Sequence, residues 1–126
     1  MAQKATNPTI MVVEDYDDTR FMLRQALELK GYRVIEAVDG WEAVQVATRE
    51  RPDLILMDLN LPVFDGITAT DILRGNEELD GVPVVAITGH NTTDSRADAA
   101  EAGCAEYLAK PIDVDQLQSL VARLLN

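Results

Sequence analysis

At 126 residues the chain has the size of one ordinary domain, long enough to bury a core without disulfide or metal staples. Hydrophobic residues make up 47% and charged ones 26%, which reads as a soluble globular chain and excludes a disordered one. The formal charge of −11 argues against nucleic acid as a partner, because a polyanion needs a basic face and none is visible.

Thr9-Ile10-Met11-Val12-Val13 is a short apolar run, the pattern of a strand buried on both faces, and it stops at Glu14-Asp15. Thr19, Met22, Leu23, Ala26, Leu27 and Lys30 then follow helical spacing, with Asp17 or Asp18 as the expected N-cap and Gly31 at the C-terminal end. β-Branched and aromatic residues from Tyr32 to Ala37 predict a second strand. A second helix runs through Ala43, Val44 and Ala47 and ends before Arg51-Pro52, since the residue preceding proline avoids helical dihedrals.

Leu54-Ile55-Leu56-Met57 is the third apolar run, and it delivers Asp58. Asp65-Gly66 opens a third helix that runs to Gly75, and Val82 to Ile87 predicts a fourth strand ending on Thr88. Asp94, expected as a cap, starts a helix of small residues closed by Gly103. Ala105 to Ala109 is a short fifth strand leading to Lys110-Pro111. Asp113 caps a last helix striped by Val114, Leu117, Leu120, Val121 and Leu124.

Five alternations of apolar strand and amphipathic helix predict a parallel sheet covered on both faces. Right-handed crossovers wind such a chain into a flavodoxin-like, doubly wound (βα)5 α/β sandwich with strand order 2-1-3-4-5, whose crevice lies at the carboxyl ends of the strands. Residues 1–8 are expected to form a polar N-terminal tail and residues 9–126 a single domain with no output domain. The lone Cys104 permits no intramolecular disulfide, the first residues are too polar for a signal peptide, and no apolar run approaches membrane length. A cytoplasmic protein without membrane contact is the expectation.

The strand ends carry the chemistry. Glu14 and Asp15 end strand one, Asp58 strand three, Thr88 strand four, and Lys110 follows strand five. Three converging carboxylates repel one another, and one ammonium does not balance them. A hard divalent ion held by carboxylates, a backbone carbonyl and water resolves the conflict, which fits Mg²⁺ better than zinc. The metal and Lys110 would neutralise a phosphoryl group, Thr88 would donate a hydrogen bond, and Asp58, on the central strand, is the best-placed nucleophile.

In order along the chain, Val12-Val13-Glu14-Asp15, Leu56-Met57-Asp58-Leu59-Asn60-Leu61-Pro62, Asp65-Gly66, Ile87-Thr88-Gly89 and Tyr107-Leu108-Ala109-Lys110-Pro111 resemble the motifs of a two-component response-regulator receiver domain, from Ile10 to Leu125. The resemblance implies a phospho-accepting switch rather than an enzyme in the ordinary sense. Asp58 would receive a phosphoryl group from a sensor histidine kinase or histidine phosphotransfer protein. Asp15 would bind Mg²⁺ directly, Glu14 through water, and Asn60 through its backbone carbonyl. Lys110 and Thr88 would hold the phosphoryl oxygens. Tyr107 would follow Thr88 inward and alter the face of helix four, strand five and helix five for a downstream target. The resemblance also implies a cis bond between Lys110 and Pro111, a structural role for Gly66, and tuning of phosphate lifetime by Asn60 and His90.

Two departures stand out. Glu14 occupies a place where aspartate is commoner, and Gly89 one where alanine is usual. Phe21 falls outside the apolar stripe of helix one, so Tyr16, Arg20, Phe21 and Pro62 are the expected docking surface for a helical donor. A haloacid-dehalogenase phosphatase would need an acid two residues after Asp58, where Asn60 stands. A flavodoxin-like electron carrier would need a phosphate loop after strand one and an aromatic flavin sandwich.

Overall fold

The computed structural model describes residues 7–89 and 92–126. Residues 1–6 of the expected tail, and His90, lie outside the described residues. Strands β1 (Thr9–Val13), β2 (Arg33–Ala37), β3 (Leu54–Asp58), β4 (Val84–Thr88) and β5 (Glu106–Ala109) alternate with helices α1 (Asp17–Glu28), α2 (Gly40–Glu50), α3 (Gly66–Arg74), α4 (Thr93–Ala102) and α5 (Val114–Leu125). Every strand pairing is parallel, and the order is β2-β1-β3-β4-β5, the flavodoxin-like arrangement. A 3-10 turn, Glu77–Leu79, precedes β4 and has no signal in the sequence pattern.

Side chains alternate across each strand, so one apolar run feeds two cores. Ile10, Val12, Leu54, Leu56, Val85 and Ile87 pack with Leu23, Ala26 and Leu27 of α1 and Leu117, Leu120 and Val121 of α5. On the other face Met11, Val13, Ile55, Met57 and Val84 pack with Ala43, Val46 and Ala47 of α2 and Ala69 and Leu73 of α3. Among the described residues neither core takes a buried side chain from α4, whose buried residues are Ala99 and Ala102.

Several expected boundaries shift for identifiable reasons. Tyr32 lies outside β2 because its N–H turns back to the Leu27 carbonyl at 3.3 Å, closing the end of α1. Helix α1 therefore stops at Glu28, short of Lys30, and Gly31 reverses the chain at φ +90°. Val82 and Pro83 lie outside β4; Pro83 has no N–H for the ladder, although its carbonyl accepts from Ile55 N at 3.0 Å.

Caps are redistributed as well. Tyr16, not Asp17 or Asp18, stands at the N-cap of α1 and offers no side-chain cap. The two aspartates sit in the first turn, where their charge complements the helix dipole. Asp94 likewise lies in the first turn of α4, and Thr92 is the cap, accepting from Ser95 N at 3.0 Å. Asp65 and Asp113 cap α3 and α5 as expected, at 2.9 and 3.0 Å. Asp39 caps α2 at 2.7 Å, a residue the sequence pattern did not single out.

Candidate functional site

The parallel register carries the ends of β1 and β3 to one edge, with Val13 beside Met57 and Asp58 beside Ile87 of β4. Lys110 follows β5, and its N–H donates to the Thr88 carbonyl at 2.8 Å, which locks the start of the β5–α5 connection onto the end of β4. Glu14, Asp58 and Thr88 are 1%, 2% and 3% exposed, so two carboxylates and a hydroxyl are buried at a strand edge. Burial of that kind is costly without partners.

The partners are specific. Lys110 Nζ lies 3.0 Å from Asp58 Oδ2 and 3.0 Å from Glu14 Oε1, bridging β1 and β3. Asp58 Oδ1 accepts from Asn60 N at 2.8 Å, and Glu14 Oε2 from Tyr16 N at 3.0 Å. Glu14 Oε1 is buried without an aligned hydrogen bond, its contact with Lys110 being an ion pair alone.

Carboxylate oxygens of Glu14, Asp15 and Asp58 lie within 4.8 Å of one another, with Asp15 on the solvent side. Three carboxylates against one ammonium leave two negative charges when all are ionised, the charge of one divalent cation. Burial and the neighbouring Asp58 carboxylate push the Glu14 carboxyl up, against the opposing pull of Tyr16 N–H and Lys110. Burial alone would lower the Lys110 ammonium, but its hydrogen bond to Asp58 and the negative charges of Asp58 and Glu14 outweigh it and hold Lys110 above its ordinary value. An all-oxygen set that includes a buried carboxylate oxygen with no aligned hydrogen bond fits a hard cation such as Mg²⁺.

Gly66 stands where the chain passes behind the site. A Cβ there would come 2.4 Å from the Asp58 carbonyl oxygen, so only glycine lets α3 start this close to the end of β3. The connecting loop carries Val63 at φ 72°, a left-handed conformation that a β-branched residue rarely adopts. Leu59, Asn60, Ile67, Thr88, Ser95 and Asp98 line an adjoining crevice of about 230 Å³. The Lys110-Pro111 bond is cis. Tyr107 is half-buried on β5, with the Arg96 guanidinium 4.8 Å from its ring centroid.

The expected docking set divides. Tyr16 and Phe21 are 61% and 60% exposed, and Pro62 is exposed as well. Arg20 is not a free surface residue: its side chain is 15% exposed and is turned onto Glu14 and Glu36. The reason is local, because α1 places Arg20 one turn after Tyr16, over the edge strand β2 that carries Glu36. Glu36 has no place in the motif pattern of the sequence; an acid between the apolar Ile35 and Ala37 of a strand is the signal that marks it.

Residues 10–122 match the response regulator receiver domain family. The transcriptional regulatory protein PrrA of Mycobacterium bovis is 39% identical over 121 residues, covering 96% of this chain and 51% of PrrA. The chain thus spans about half the length of the PrrA relatives it matches. The polar-differentiation response regulator DivK of Brucella anthropi is 37% identical over 118 residues, covering 94% of this chain and 96% of DivK.

Among solved structures, the receiver domain of sensor histidine kinase PA1611 from Pseudomonas aeruginosa, with a magnesium ion coordinated in its active site cleft, superposes with a TM-score of 0.89 at 38% identity, over 95% of this chain and 98% of that one. The chemotaxis protein CheY4 of Vibrio cholerae gives a TM-score of 0.90 at 27% identity, over 95% of this chain and 100% of that one. A sheet in the order 2-1-3-4-5, an acidic cluster suited to phosphorylation at its carboxyl edge, and these likenesses agree: the chain belongs to the response regulator receiver domain family of two-component signalling.

Proposed function

We propose that the chain is a phospho-accepting switch in which Asp58 takes a phosphoryl group from a phosphohistidine donor in a Mg²⁺-dependent step. The observation that supports this most is the pairing at 3.0 Å of buried Asp58 with Lys110, beside a Glu14 oxygen that has no hydrogen-bond partner. Asp15 and Asp58, with the Asn60 carbonyl, would hold Mg²⁺, and Glu14 would hold it through water. When bound, the ion supplies positive charge to the phosphoryl oxygens and leaves the remaining chemistry to side chains.

A carboxylate oxygen of Asp58 attacks phosphorus, the P–N bond to the donor imidazole breaks, and the imidazole nitrogen keeps the electron pair. Lys110 shifts its ammonium from carboxylate to phosphoryl oxygen, and the Thr88 hydroxyl donates a second hydrogen bond. Thr88 and Tyr107 then alter the face of α4, β5 and α5 for a target or for onward transfer, and Asn60 and His90 set the phosphate lifetime. The donor, a sensor histidine kinase or histidine phosphotransfer protein, docks on exposed Tyr16, Phe21 and Pro62, and the setting is cytoplasmic. Phe21→Ala is expected to slow transfer from the cognate donor while leaving phosphorylation by a small donor unchanged.

The test of the central step is intact mass after incubation with Mg²⁺ and a small acyl phosphate. A phosphoryl adduct that needs Mg²⁺ and disappears in Asp58→Asn is the expected result. An adduct that survives this substitution, or none with any donor, overturns the proposal.

A further inference from the structure

Resting on that reading of the acidic cluster, we infer that Arg20, braced by Glu36, is a positioning residue that sets the peptide carrying Asp15 for Mg²⁺. Arg20 Nη1 donates to the Glu14 carbonyl oxygen at 2.9 Å, Nε to Glu36 Oε1 at 3.1 Å, and Nη2 to Asp17 Oδ1 at 2.6 Å. One planar guanidinium thus joins the β1–α1 connection, the first turn of α1 and the edge strand β2. Lysine, a point charge on a flexible stem, does not reproduce that fork.

The Glu14 carbonyl and the Asp15 N–H belong to the same rigid peptide plane. A donor on that oxygen fixes the plane from which the Asp15 side chain springs. The other side of Glu14 is tied to the same strand, its N–H donating to the Ala37 carbonyl at 3.1 Å. Glu36 is itself fixed, because its second oxygen accepts from Arg24 Nη1 at 2.7 Å and Arg24 Nε reaches Glu28 at 3.0 Å. The line from Arg24 through Glu36 and Arg20 to the Glu14–Asp15 peptide is continuous, and each contact is of hydrogen-bond length. Mg²⁺ demands near-octahedral placement of its ligands, so the orientation of the Asp15 carboxylate matters to affinity.

Positioning and simple electrostatics make opposite predictions. Arg20 is a cation beside a cation site, so its removal should strengthen Mg²⁺ binding if only through-space charge counts. If it orients the ligand peptide, its removal should weaken binding, and partners that orient metal ligands typically contribute ~10–100-fold in affinity.

The experiment is a Mg²⁺ titration of the unphosphorylated chain, followed by backbone amide shifts of Asp15 and Tyr16, whose spectra also report folding. The expected result is a dissociation constant raised ~10-fold or more in Arg20→Ala. Arg20→Lys keeps the charge and should also bind more weakly, so it carries the test alone if Arg20→Ala does not fold. Equal or tighter binding in the folded variants overturns the inference. Asp15→Asn separates the two readings. If the wild type does not bind Mg²⁺, or Asp15→Asn binds as well as wild type, the metal site fails. If Asp15→Asn loses binding and the Arg20 variants do not, only the positioning role fails.

Discussion

Helices α1 and α4 both begin at the site's edge of the sheet, yet they are held to the domain by different means. Helix α1 buries Leu23, Ala26 and Leu27, and adds the Arg20 and Arg24 ion pairs to Glu36. Helix α4 buries only Ala99 and Ala102, and adds the Arg96 guanidinium over the Tyr107 ring. A fully buried leucine is worth ~1.5–3 kcal/mol, whereas a buried methyl is worth ~0.8 kcal/mol. The acidic cluster therefore borders an anchored helix, while Thr88 leads into a helix with little apolar attachment. Segments with few buried apolar contacts open at lower free energy than the rest of a domain. In this chain the difference separates a rim bordered by a helix with three buried apolar side chains, two of them leucines, from a rim bordered by a helix with two buried alanines.

The largest effect should come from stripping an anchor. Leu27 is fully buried, and Leu27→Ala is expected to cost ~2–5 kcal/mol in chemical denaturation. Ala99→Gly, which removes one buried methyl and loosens the helix backbone, should cost ~1–2 kcal/mol. Hydrogen exchange should separate them further, with Ala99→Gly accelerating amides of α4 and leaving those of α1 protected. A cost for Ala99→Gly as large as that for Leu27→Ala, or accelerated exchange spread over both helices, breaks the comparison.

A smaller perturbation sharpens it. Arg96→Ala removes the cation over the Tyr107 ring, a contact worth ~0.5–1 kcal/mol at an exposed site. The Tyr107 ring resonances and the amides of α4 should shift, while those of Glu14, Asp15 and α1 stay in place. Shifts of equal size at Glu14 would mean that the two rims are mechanically one unit.

The strand ends were legible in the sequence because burial makes charge conspicuous. An apolar run that ends on Asp58 has few structural explanations, and the register then brings Glu14, Thr88 and Lys110 to the same edge. Helix caps were less legible, since Asp17, Asp18 and Asp94 serve a first turn as well as a cap, and only the backbone decides between the two. Val63 at φ 72° left no trace either, because valine is among the residues that this conformation disfavours, at ~1–2 kcal/mol. Arg20 looked like a surface arginine beside Phe21. Helical spacing points to Asp17, but the other partner, Glu36, lies on β2, sixteen residues away in the chain, where helical spacing does not point.

The smallest expected effect concerns the brace on the anchored rim. Burial raises the Glu36 carboxyl, but hydrogen bonds from Arg24 and Arg20 outweigh it and hold the group below its ordinary value of 4.5. A carboxyl depressed in the folded state contributes stability that is fully present above its unfolded value and is lost as pH falls through its folded value. Glu36 is partly exposed, at 30%, so solvent screens the pair and the contribution belongs to the ~0.2–1 kcal/mol range of exposed ion pairs. Glu36→Gln should therefore be less stable than wild type at neutral pH, and the gap should close as pH drops below 4.5. Comparing the two proteins at each pH cancels the other carboxylates, including Glu14, whose raised carboxyl acts with the opposite sign. No gap at neutral pH would mean that Glu36 braces α1 through shape rather than charge, because glutamine keeps the shape and loses only the charge. The two arginines would then be held by the packing of their stems.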